Sequence, residues 1–401
     1  MMTRLHAAIL SSNWRLAQVF GVVAVGVLTH SAWAQLPKES RLKHIEDVVR
    51  EDLNAINRIA ITDDGKFLYA ASWGAGTVTT FARNDDGRIE HLGTTKLPVM
   101  DGAVDVVISP NQRFVSVIAF RSNSLLIFNR DSVTGKLKVD GHSRSQLQFS
   151  NAIDFSPDSR FLYVSNAQDE TPLHGSMVCY EVSDTAALKN VQKLSGPEYY
   201  GMRDILVSKN GKKAYAACDQ AGTVLEFDRS IETGELTLVN TLKDGEAGVN
   251  NIDGVLSLAL SADGLDLFSV AGRFKGDNAV TWFHSGDDGK MHFVSDIAEL
   301  GRFQGGNSIQ IDPTGNTLYA TATVSGSIAA IAVTKEEQKL VHLTTLVDGQ
   351  NGLLTGAAGL TFSPDGKFLY VAVENADGIG VYEFIPSDSS EAAEPNAIPS
   401  E

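Results

Sequence analysis

The chain has 401 residues, of which 43% are hydrophobic and 20% are charged, a balance that is ordinary for a globular protein. Its formal charge of -16 repels phosphate backbones and anionic lipid surfaces, which excludes nucleic acid as an expected partner. The 36 glycines favour many tight turns over long helices.

The first predicted element is an export signal. Arg4 and Arg15 precede the apolar run 19–28, and the small-x-small sequence 32–34 is followed by Gln35. A basic region, an apolar core and a small-residue site describe a secretory signal peptide, and a run of about ten apolar residues is short for a membrane span. We therefore predict a signal peptide over residues 1–34, and a periplasmic or secreted mature protein without a membrane span.

One strand–turn–strand phrase then recurs seven times, at steps of about fifty residues. Each unit contains four short strands, rich in β-branched and aromatic residues and separated by turn formers. This pattern predicts an all-β fold over residues 35–384, a seven-bladed β-propeller of four-stranded antiparallel blades. The seven phrases are ITDDGKFLYA (61–70), ISPNQRFVSV (108–117), FSPDSRFLYV (155–164), VSKNGKKAYA (207–216), LSADGLDLFS (260–269), IDPTGNTLYA (311–320) and FSPDGKFLYV (362–371).

The two ends of the repeat array fit together. The seventh unit, residues 358–384, stops after its third strand, whereas residues 41–49 resemble 339–347, the fourth strand of the sixth unit. We therefore expect the N-terminal strand to complete the last blade, which leaves the ring without an unpaired edge. Residues 385–401 are acidic and poor in apolar side chains, a composition that predicts a disordered tail.

The repeats resemble a known family. SPDGKFLYV (363–371), DGVLSLALSADG (253–264) and DNAVTWF (277–283) are similar to the YVTN-type repeats of the seven-bladed lactonase-like propellers, which include 6-phosphogluconolactonase and carboxymuconate cyclase. The resemblance covers nearly all of the mature chain and implies a carboxylic-ester hydrolase that opens lactones. The intracellular lactonase branch has a Pro-His pair before one Ser-Pro-Asp-Gly turn. Segments 105–110, 151–157 and 359–364 contain no His, so the catalytic residues of that branch cannot be carried over.

Candidate site residues come from two columns of the repeat, because the loop that enters each innermost strand opens at the channel mouth. We assign Arg203 to a carboxylate or phosphate, and Asp101 or Asp253 to general-base catalysis on a lactone. We assign Asn57, Asn151, Asn307 and Tyr200 to ligand binding. The alternative is that these polar groups satisfy the backbone at strand entries. The column eleven residues before each turn is Asn54, Asp101, Gln148, Tyr200, Asp253, Gln304 and Thr355, and the column eight residues before it is Asn57, Val104, Asn151, Arg203, Leu256, Asn307 and Ala358.

The loops between the second and third strands open at the same mouth. Arg121 and Arg273 occupy equivalent repeat positions and would form a ligand-binding basic patch with Arg203, unless all three are simply solvated. The same loops also contain Trp73, Asp219 and Glu374.

We predict no metal site and no cofactor, because no His, Cys, Asp and Glu spacing matches a known ligand set. Cys179 and Cys218 fall in neighbouring repeats and could be bonded or free.

Two functions follow. The first is an exported, metal-free hydrolase of sugar or aromatic-acid lactones at the channel mouth, with a small carbohydrate or organic acid as ligand. The second is a non-catalytic periplasmic or extracellular scaffold that binds a protein or another ligand. We expect a monomer in both cases. A polysaccharide lyase would need clustered His, Tyr and Arg side chains, of which only Tyr200 and Arg203 are available.

Overall fold

The computed structural model describes residues 41–274 and 276–385, which form seven four-stranded antiparallel sheets. Within this part of the chain no helix is long and apolar enough to cross a membrane. The predicted signal peptide and all but the first residue of the predicted tail lie outside the described residues.

Each blade is built from strands that follow one another in the chain, except the last. The strands are β1 (Leu42–Val49); blade 1, β2 (Ile56–Ile61), β3 (Phe67–Ser72), β4 (Thr77–Arg83) and β5 (Ile89–Lys96); blade 2, β6 (Ala103–Ile108), β7 (Phe114–Ala119), β8 (Ser124–Arg130) and β9 (Leu137–Ser143); blade 3, β10 (Ser150–Phe155), β11 (Phe161–Asn166), β12 (Gly175–Val182) and β13 (Leu188–Gly196); blade 4, β14 (Met202–Val207), β15 (Lys213–Cys218), β16 (Thr223–Arg229) and β17 (Leu236–Lys243); blade 5, β18 (Val255–Leu260), β19 (Asp266–Ala271), β20 (Val280–Ser285) and β21 (Met291–Ile297); blade 6, β22 (Gly306–Ile311), β23 (Thr317–Ala322), β24 (Ser327–Thr334) and β25 (Lys339–Val347); blade 7, β26 (Ala357–Phe362), β27 (Phe368–Val373) and β28 (Gly378–Phe384). In the described part of the chain, four 3-10 helices lie in the connecting loops, at Glu51–Leu53, Pro98–Met100, Pro197–Tyr199 and Glu374–Ala376.

The first strand closes the ring. Strand β1 pairs antiparallel with β28, from Leu42 opposite Phe384 to Val49 opposite Gly378. The innermost strand of every blade packs against that of the next, including β26 of blade 7 against β2 of blade 1. The predicted fold, seven blades with the last completed by residues 41–49, is confirmed.

The repeated phrase builds the contacts between blades. Its second strand is fully buried in most blades because neighbouring blades cover both of its faces, so both faces of the strand are apolar. The tyrosine of the phrase reaches the outer hairpin of the next blade. Tyr69 donates to the carbonyl oxygen of Gly135 at 2.8 Å, and Tyr370 donates to that of Gly87 at 2.8 Å across the closure of the ring.

Every innermost strand carries a β-bulge near its start. In blade 4, for example, Met202 lies opposite Cys218 and Asp204 lies opposite Ala217, so that Arg203 is the extra residue. In blades 1 to 6 the extra residue belongs to the column eight residues before the turn, and in blade 7 Ala358 and Gly359 together lie opposite the single residue Ala372. A bulge re-aims a side chain, and here it gives each blade one residue directed away from the regular ladder.

Cys179 and Cys218 are both buried and free, so no disulfide joins blades 3 and 4. Burial raises the pKa of the Cys179 thiol to about 12, which keeps it protonated and unreactive at neutral pH.

Candidate functional site

A cavity of about 390 Å³ lies on the ring axis, at the end where the innermost strands begin. Six of the seven bulged positions line it. The remaining lining residues are Arg58, which is next to the bulge of β2, and residues of the loops that follow the second strand of a blade. The lining residues are Asn57, Arg58, Trp73, Val104, Phe120, Asn151, Arg203, Leu256, Arg273, Phe274, Asn307 and Glu374.

Arg203 is held by two neighbours. Its Nε donates to Oδ2 of Asp219 at 2.9 Å, and its Nη1 donates to Oδ1 of Asn151 at 3.1 Å. Among the described residues Nη2 of Arg203 has no hydrogen-bond partner. Asp219 is fully buried, and its burial raises the pKa of its carboxyl group despite the opposing effect of Arg203. Asp219 therefore positions the guanidinium from behind rather than facing the cavity.

Arg273 approaches the cavity from the loop after β19. Its Nη2 donates to Oε2 of Glu374 at 2.5 Å. Burial lowers the pKa of Arg273, and the nearby cations Arg58 and Arg203 lower it further, whereas Glu374 raises it. The ring of Phe274 lies between the two guanidiniums, with its centroid 4.9 Å from Cζ of Arg203 and 5.1 Å from Cζ of Arg273. Favourable cation–π contacts thus bring two arginines together at one aromatic side chain.

Arg58 is a third cation at the cavity, and sequence reasoning missed it. It follows the bulged Asn57 on β2, and its Nη1 is buried without a hydrogen-bond partner among the described residues. An unpaired buried guanidinium nitrogen is costly unless a ligand or water occupies it. At this repeat position the other blades have Asp, Ala, Ser or Gly, so the only sequence signal for Arg58 is that it is the one basic residue there.

The cavity is a positive site in an acidic chain. Its lining contains three guanidiniums, those of Arg58, Arg203 and Arg273, and one carboxylate, that of Glu374. The lining residues thus carry a formal charge of +2, of which Asp219, paired with Arg203 from behind the lining, offsets part. A cavity with low-dielectric walls focuses this potential and attracts anions. None of its lining residues is a histidine.

The structure brings five predicted site residues together around this cavity, namely Arg203, Asn57, Asn151, Asn307 and Arg273. Asn307 is buried and donates through Nδ2 to Oγ1 of Thr323 at 2.8 Å, which fixes its amide. Their part in binding a ligand stays a prediction.

The other four predicted site residues lie outside the cavity lining. Asp101 and Arg121 form an exposed ion pair at 3.2 Å, and the guanidinium of Arg121 stacks 3.5 Å from the ring centroid of Trp73. Tyr200 and Asp253 lie in the loops that enter β14 and β18.

The column that contains Asp101, Tyr200 and Asp253 has a shared backbone role. The carbonyl oxygen of Asp101 accepts a hydrogen bond from N of Ser122, and that of Tyr200 accepts one from N of Ala221. Each carbonyl ties the entering loop to the loop between the second and third strands. At this position the backbone carbonyl makes the structural contact, so the polar side chains do not have to bind a ligand.

Within residues 41–274 and 276–385 no group of three or more His, Cys, Asp or Glu side chains is arranged to hold a metal ion.

A second cavity, of about 460 Å³, lies on the same axis, and it shares Arg58 with the first. Asp105, Asp154 and Asp204 line it from three adjacent innermost strands. Each carboxylate binds the next blade: Oδ2 of Asp105 accepts from N of Ile153, Oδ2 of Asp154 accepts from N of Val207, and Oδ2 of Asp204 accepts from N of Leu258, at 3.0, 2.8 and 2.9 Å.

These three carboxyl groups resist ionisation. Burial raises the pKa of Asp105 to about 6 and that of Asp154 to about 7, and it also raises the pKa of Asp204. Hydrogen bonds from Val207 and Phe155 oppose the shift at Asp154, and the charges of Asp204 and Asp105 add to it.

Replacing Asp154 with Asn should change how stability depends on pH. Between about pH 5 and pH 8 an unfolded Asp has already lost its proton, whereas folded Asp154 loses it only near pH 7. The folded state therefore binds more protons over this range, and its stability falls as pH rises. Between these pH values we expect the free energy of unfolding of the wild type to fall by about 2 kcal/mol relative to that of the Asp154→Asn variant. This is less than the full pKa shift would give, because solvent in the channel screens the charge. Urea unfolding of both proteins at several pH values measures this, and a difference independent of pH would contradict it.

The comparisons with known proteins agree with this architecture. A family model described as "Lactonase, 7-bladed beta-propeller" matches residues 23–148, 138–241 and 174–355. Among curated relatives, an uncharacterized protein of Staphylococcus aureus is 25% identical over 207 residues, which are 50% of this chain and 58% of that protein. The chain thus spans less than two thirds of the length of the curated relatives that it matches.

Solved structures share the fold at low identity. The periplasmic gluconolactonase of Pseudomonas aeruginosa is 18% identical, with a TM-score of 0.60 over 74% of this chain and 86% of that one. A putative 6-phosphogluconolactonase of Bacteroides uniformis is also 18% identical, with a TM-score of 0.58 over 74% of this chain and 85% of that one. Hydrazine synthase of Kuenenia stuttgartiensis, also 18% identical, has a TM-score of 0.63 over 84% of this chain and 97% of that one, so the fold by itself does not select an activity. The family model covers most of the chain, and this protein belongs to the seven-bladed β-propeller lactonase family.

Proposed function

We propose that the protein is a hydrolase of anionic lactones that acts in the cavity around Arg203. One observation carries the proposal: three guanidiniums and a single carboxylate converge on one cavity at the channel mouth. Cations suit both the anionic group of a substrate and the oxyanion that forms when water attacks a lactone carbonyl.

Each residue has a separate role in this reaction. Arg203 binds the anionic group through Nη2, and Arg58 stabilises the negative charge that develops on the carbonyl oxygen. Glu374, the only carboxylate among the residues that line the cavity, accepts a proton from the attacking water. The water oxygen bonds to the carbonyl carbon, and the bond from that carbon to the ring oxygen breaks. Glu374 then returns the proton to the ring oxygen, which gives an open hydroxy acid.

We also propose that the reaction takes place outside the cytoplasm. Support comes from the signal-peptide pattern in residues 1–34 and from the similarity to a periplasmic gluconolactonase. Fusion of residues 1–40 to a reporter enzyme that matures only after export tests this, and a reporter retained in the cytoplasm would contradict it.

Replacing Arg203 with Gln tests the proposed site. The amide keeps a donor for buried Asp219 but removes the charge from the cavity, so we expect kcat/KM for an anionic lactone to fall about 100-fold. Arg88→Ala is the matched control, since Arg88 lies on an outer hairpin and pairs with Asp86 at 2.6 Å. Turnover that is equal in both variants would remove the proposed site.

A non-catalytic binding propeller is the second candidate. The pairing of Glu374 with Arg273 favours it, because this ion pair already engages the carboxylate that would have to accept a proton from water. Glu374→Gln separates the two functions. A hydrolase loses turnover and keeps ligand binding, whereas a binding protein has no turnover to lose.

A further inference from the structure

The cavity has two apolar walls that face each other across the ring axis. Val104 and Phe120 of blade 2, with Trp73 of blade 1, form one wall, and Leu256 and Phe274 of blade 5 form the other. Blades 2 and 5 are three steps apart in a ring of seven, which is the largest separation that such a ring allows.

Four of the polar lining residues occupy the gaps between these walls, whereas Asn57 and Arg58 of blade 1 and Arg273 of blade 5 adjoin the walls themselves. Asn151 and Arg203 come from blades 3 and 4, and Asn307 and Glu374 come from blades 6 and 7 on the other side. A ligand on the axis therefore meets apolar surface on two opposite sides and polar or charged groups at the two ends. We call this arrangement, two apolar sides with polar groups between them, the slot.

The apolar walls are fixed before a ligand binds. Trp73 is covered by the guanidinium of Arg121, and the ring of Phe120 packs 5.3 Å from that of Phe149. Phe274 contacts Arg203 and Arg273 but remains 57% exposed, so part of its surface is available to a ligand. Aromatic side chains held in place in this way lose little conformational entropy on binding.

We propose that the cavity selects lactones with a flat aromatic body and a carboxylate at one edge, in preference to polyhydroxylated sugar lactones. The inference rests on the proposed function and narrows its substrate class. Aromatic faces match the two apolar walls, and the carboxylate lies at the Arg203 end of the slot. A sugar lactone would turn hydroxyl groups towards Val104 and Leu256, where they would lose hydrogen bonds with water and gain none.

Two probes of equal charge test the selectivity. Coumarin-3-carboxylate is an aromatic lactone that carries a carboxylate, and gluconate is a polyhydroxylated carboxylate. We expect coumarin-3-carboxylate to bind at least about tenfold more tightly by calorimetry, and to quench the fluorescence of Trp73.

A variant that should change the selectivity carries Asn at the two bulged positions with apolar lining residues, Val104 and Leu256. Asn already occupies the bulged position of blades 1, 3 and 6, so the fold accepts it there. Val104→Asn with Leu256→Asn should weaken coumarin-3-carboxylate at least about tenfold and leave gluconate unchanged or tighter. Val133→Asn, at a valine that is 83% exposed on an outer hairpin, is the control and should change neither affinity.

The outcomes separate the two proposals. The aromatic slot is overturned if gluconate binds as tightly as coumarin-3-carboxylate or more tightly. It is also overturned if the double variant still prefers the aromatic probe. Turnover of glucarolactone, a sugar lactone that carries a carboxylate, with weak binding of the aromatic probe overturns the slot and keeps the hydrolase. Tight binding of coumarin-3-carboxylate without ring opening of any tested lactone keeps the slot and removes the hydrolase.

Discussion

A chain that begins at Arg50, and therefore lacks strand β1, should lose most of its folding stability. The missing strand pairs with β28 along seven residue pairs, and its removal exposes the backbone of β28 as an open edge. Leu42, which is 6% exposed, packs in the core between blades 6 and 7, and Ile45 and Val48 pack against the core between blades 7 and 1.

Together these lost contacts should lower the folding stability by a large amount. Removing a buried leucine alone costs about 2 to 5 kcal/mol, and the lost ladder and the two further apolar side chains add to it. We expect at least about 5 kcal/mol, which is comparable with the whole stability of many domains. Thermal and urea unfolding measure the loss, and light scattering reports association through the open edge.

A circularly permuted chain is the matched control. N of Ile385 donates to the carbonyl oxygen of Arg41 at 2.8 Å, so a short glycine linker can join the two ends as a hairpin. A chain of residues 50–385, the linker and then residues 41–49 contains all four strands of blade 7 in continuous sequence. It should recover the stability of the wild type. A truncated chain as stable as the permuted one would show that β1 does not close the ring energetically.

The repeated phrase predicted the fold because its turn has one backbone requirement in every blade. The turn position is left-handed in all seven blades, with φ of +67° at Gly65 and +76° at Gly264, and also +61° at Gln112 and Ser159. Glycine meets this requirement without strain, and its recurrence at a fixed spacing marks five of the seven hairpins. The missing fourth strand of the last unit predicted the closure for a similar reason, since an open edge is unfavourable.

The site was only partly predictable. Counting residues from the turn identified two polar columns, but a count does not show which way a side chain points. The bulge turns Asn57, Asn151 and Arg203 towards the axis, whereas three residues earlier the backbone carbonyl group makes the contact. A bulge depends on how two strands pair, and the sequence of one strand does not show it.

Arg58 and Glu374 also could not be assigned to the site from the sequence alone. Arg58 follows the bulge on β2, where other blades have Asp, Ala, Ser or Gly, and no repeat rule singles it out. Glu374 was visible as a loop residue, but its place beside Arg273 depends on how blades 5 and 7 meet at the axis.

Gly201 affects both folding stability and the position of Arg203. We therefore expect Gly201→Ala to lower the stability and to weaken ligand binding. Gly201 has φ of +75°, and an added Cβ would collide with Oδ1 of Asp219 and lie 2.6 Å from N of Gln220. Asp219 holds Nε of Arg203, so its displacement moves the guanidinium out of position. We expect a loss of at least about 3 kcal/mol of stability, and at least about tenfold weaker binding of coumarin-3-carboxylate.

Gly264→Ala isolates the backbone contribution, because Gly264 has nearly the same φ, +76°, but no atom within 4 Å of an added Cβ. It should cost only about 1 to 2 kcal/mol for the left-handed conformation, and should leave ligand binding unchanged. Urea unfolding and calorimetry on both variants separate strain from collision. Equal losses of stability and equal affinities in the two variants would show that Asp219 does not hold Arg203 in place for the ligand.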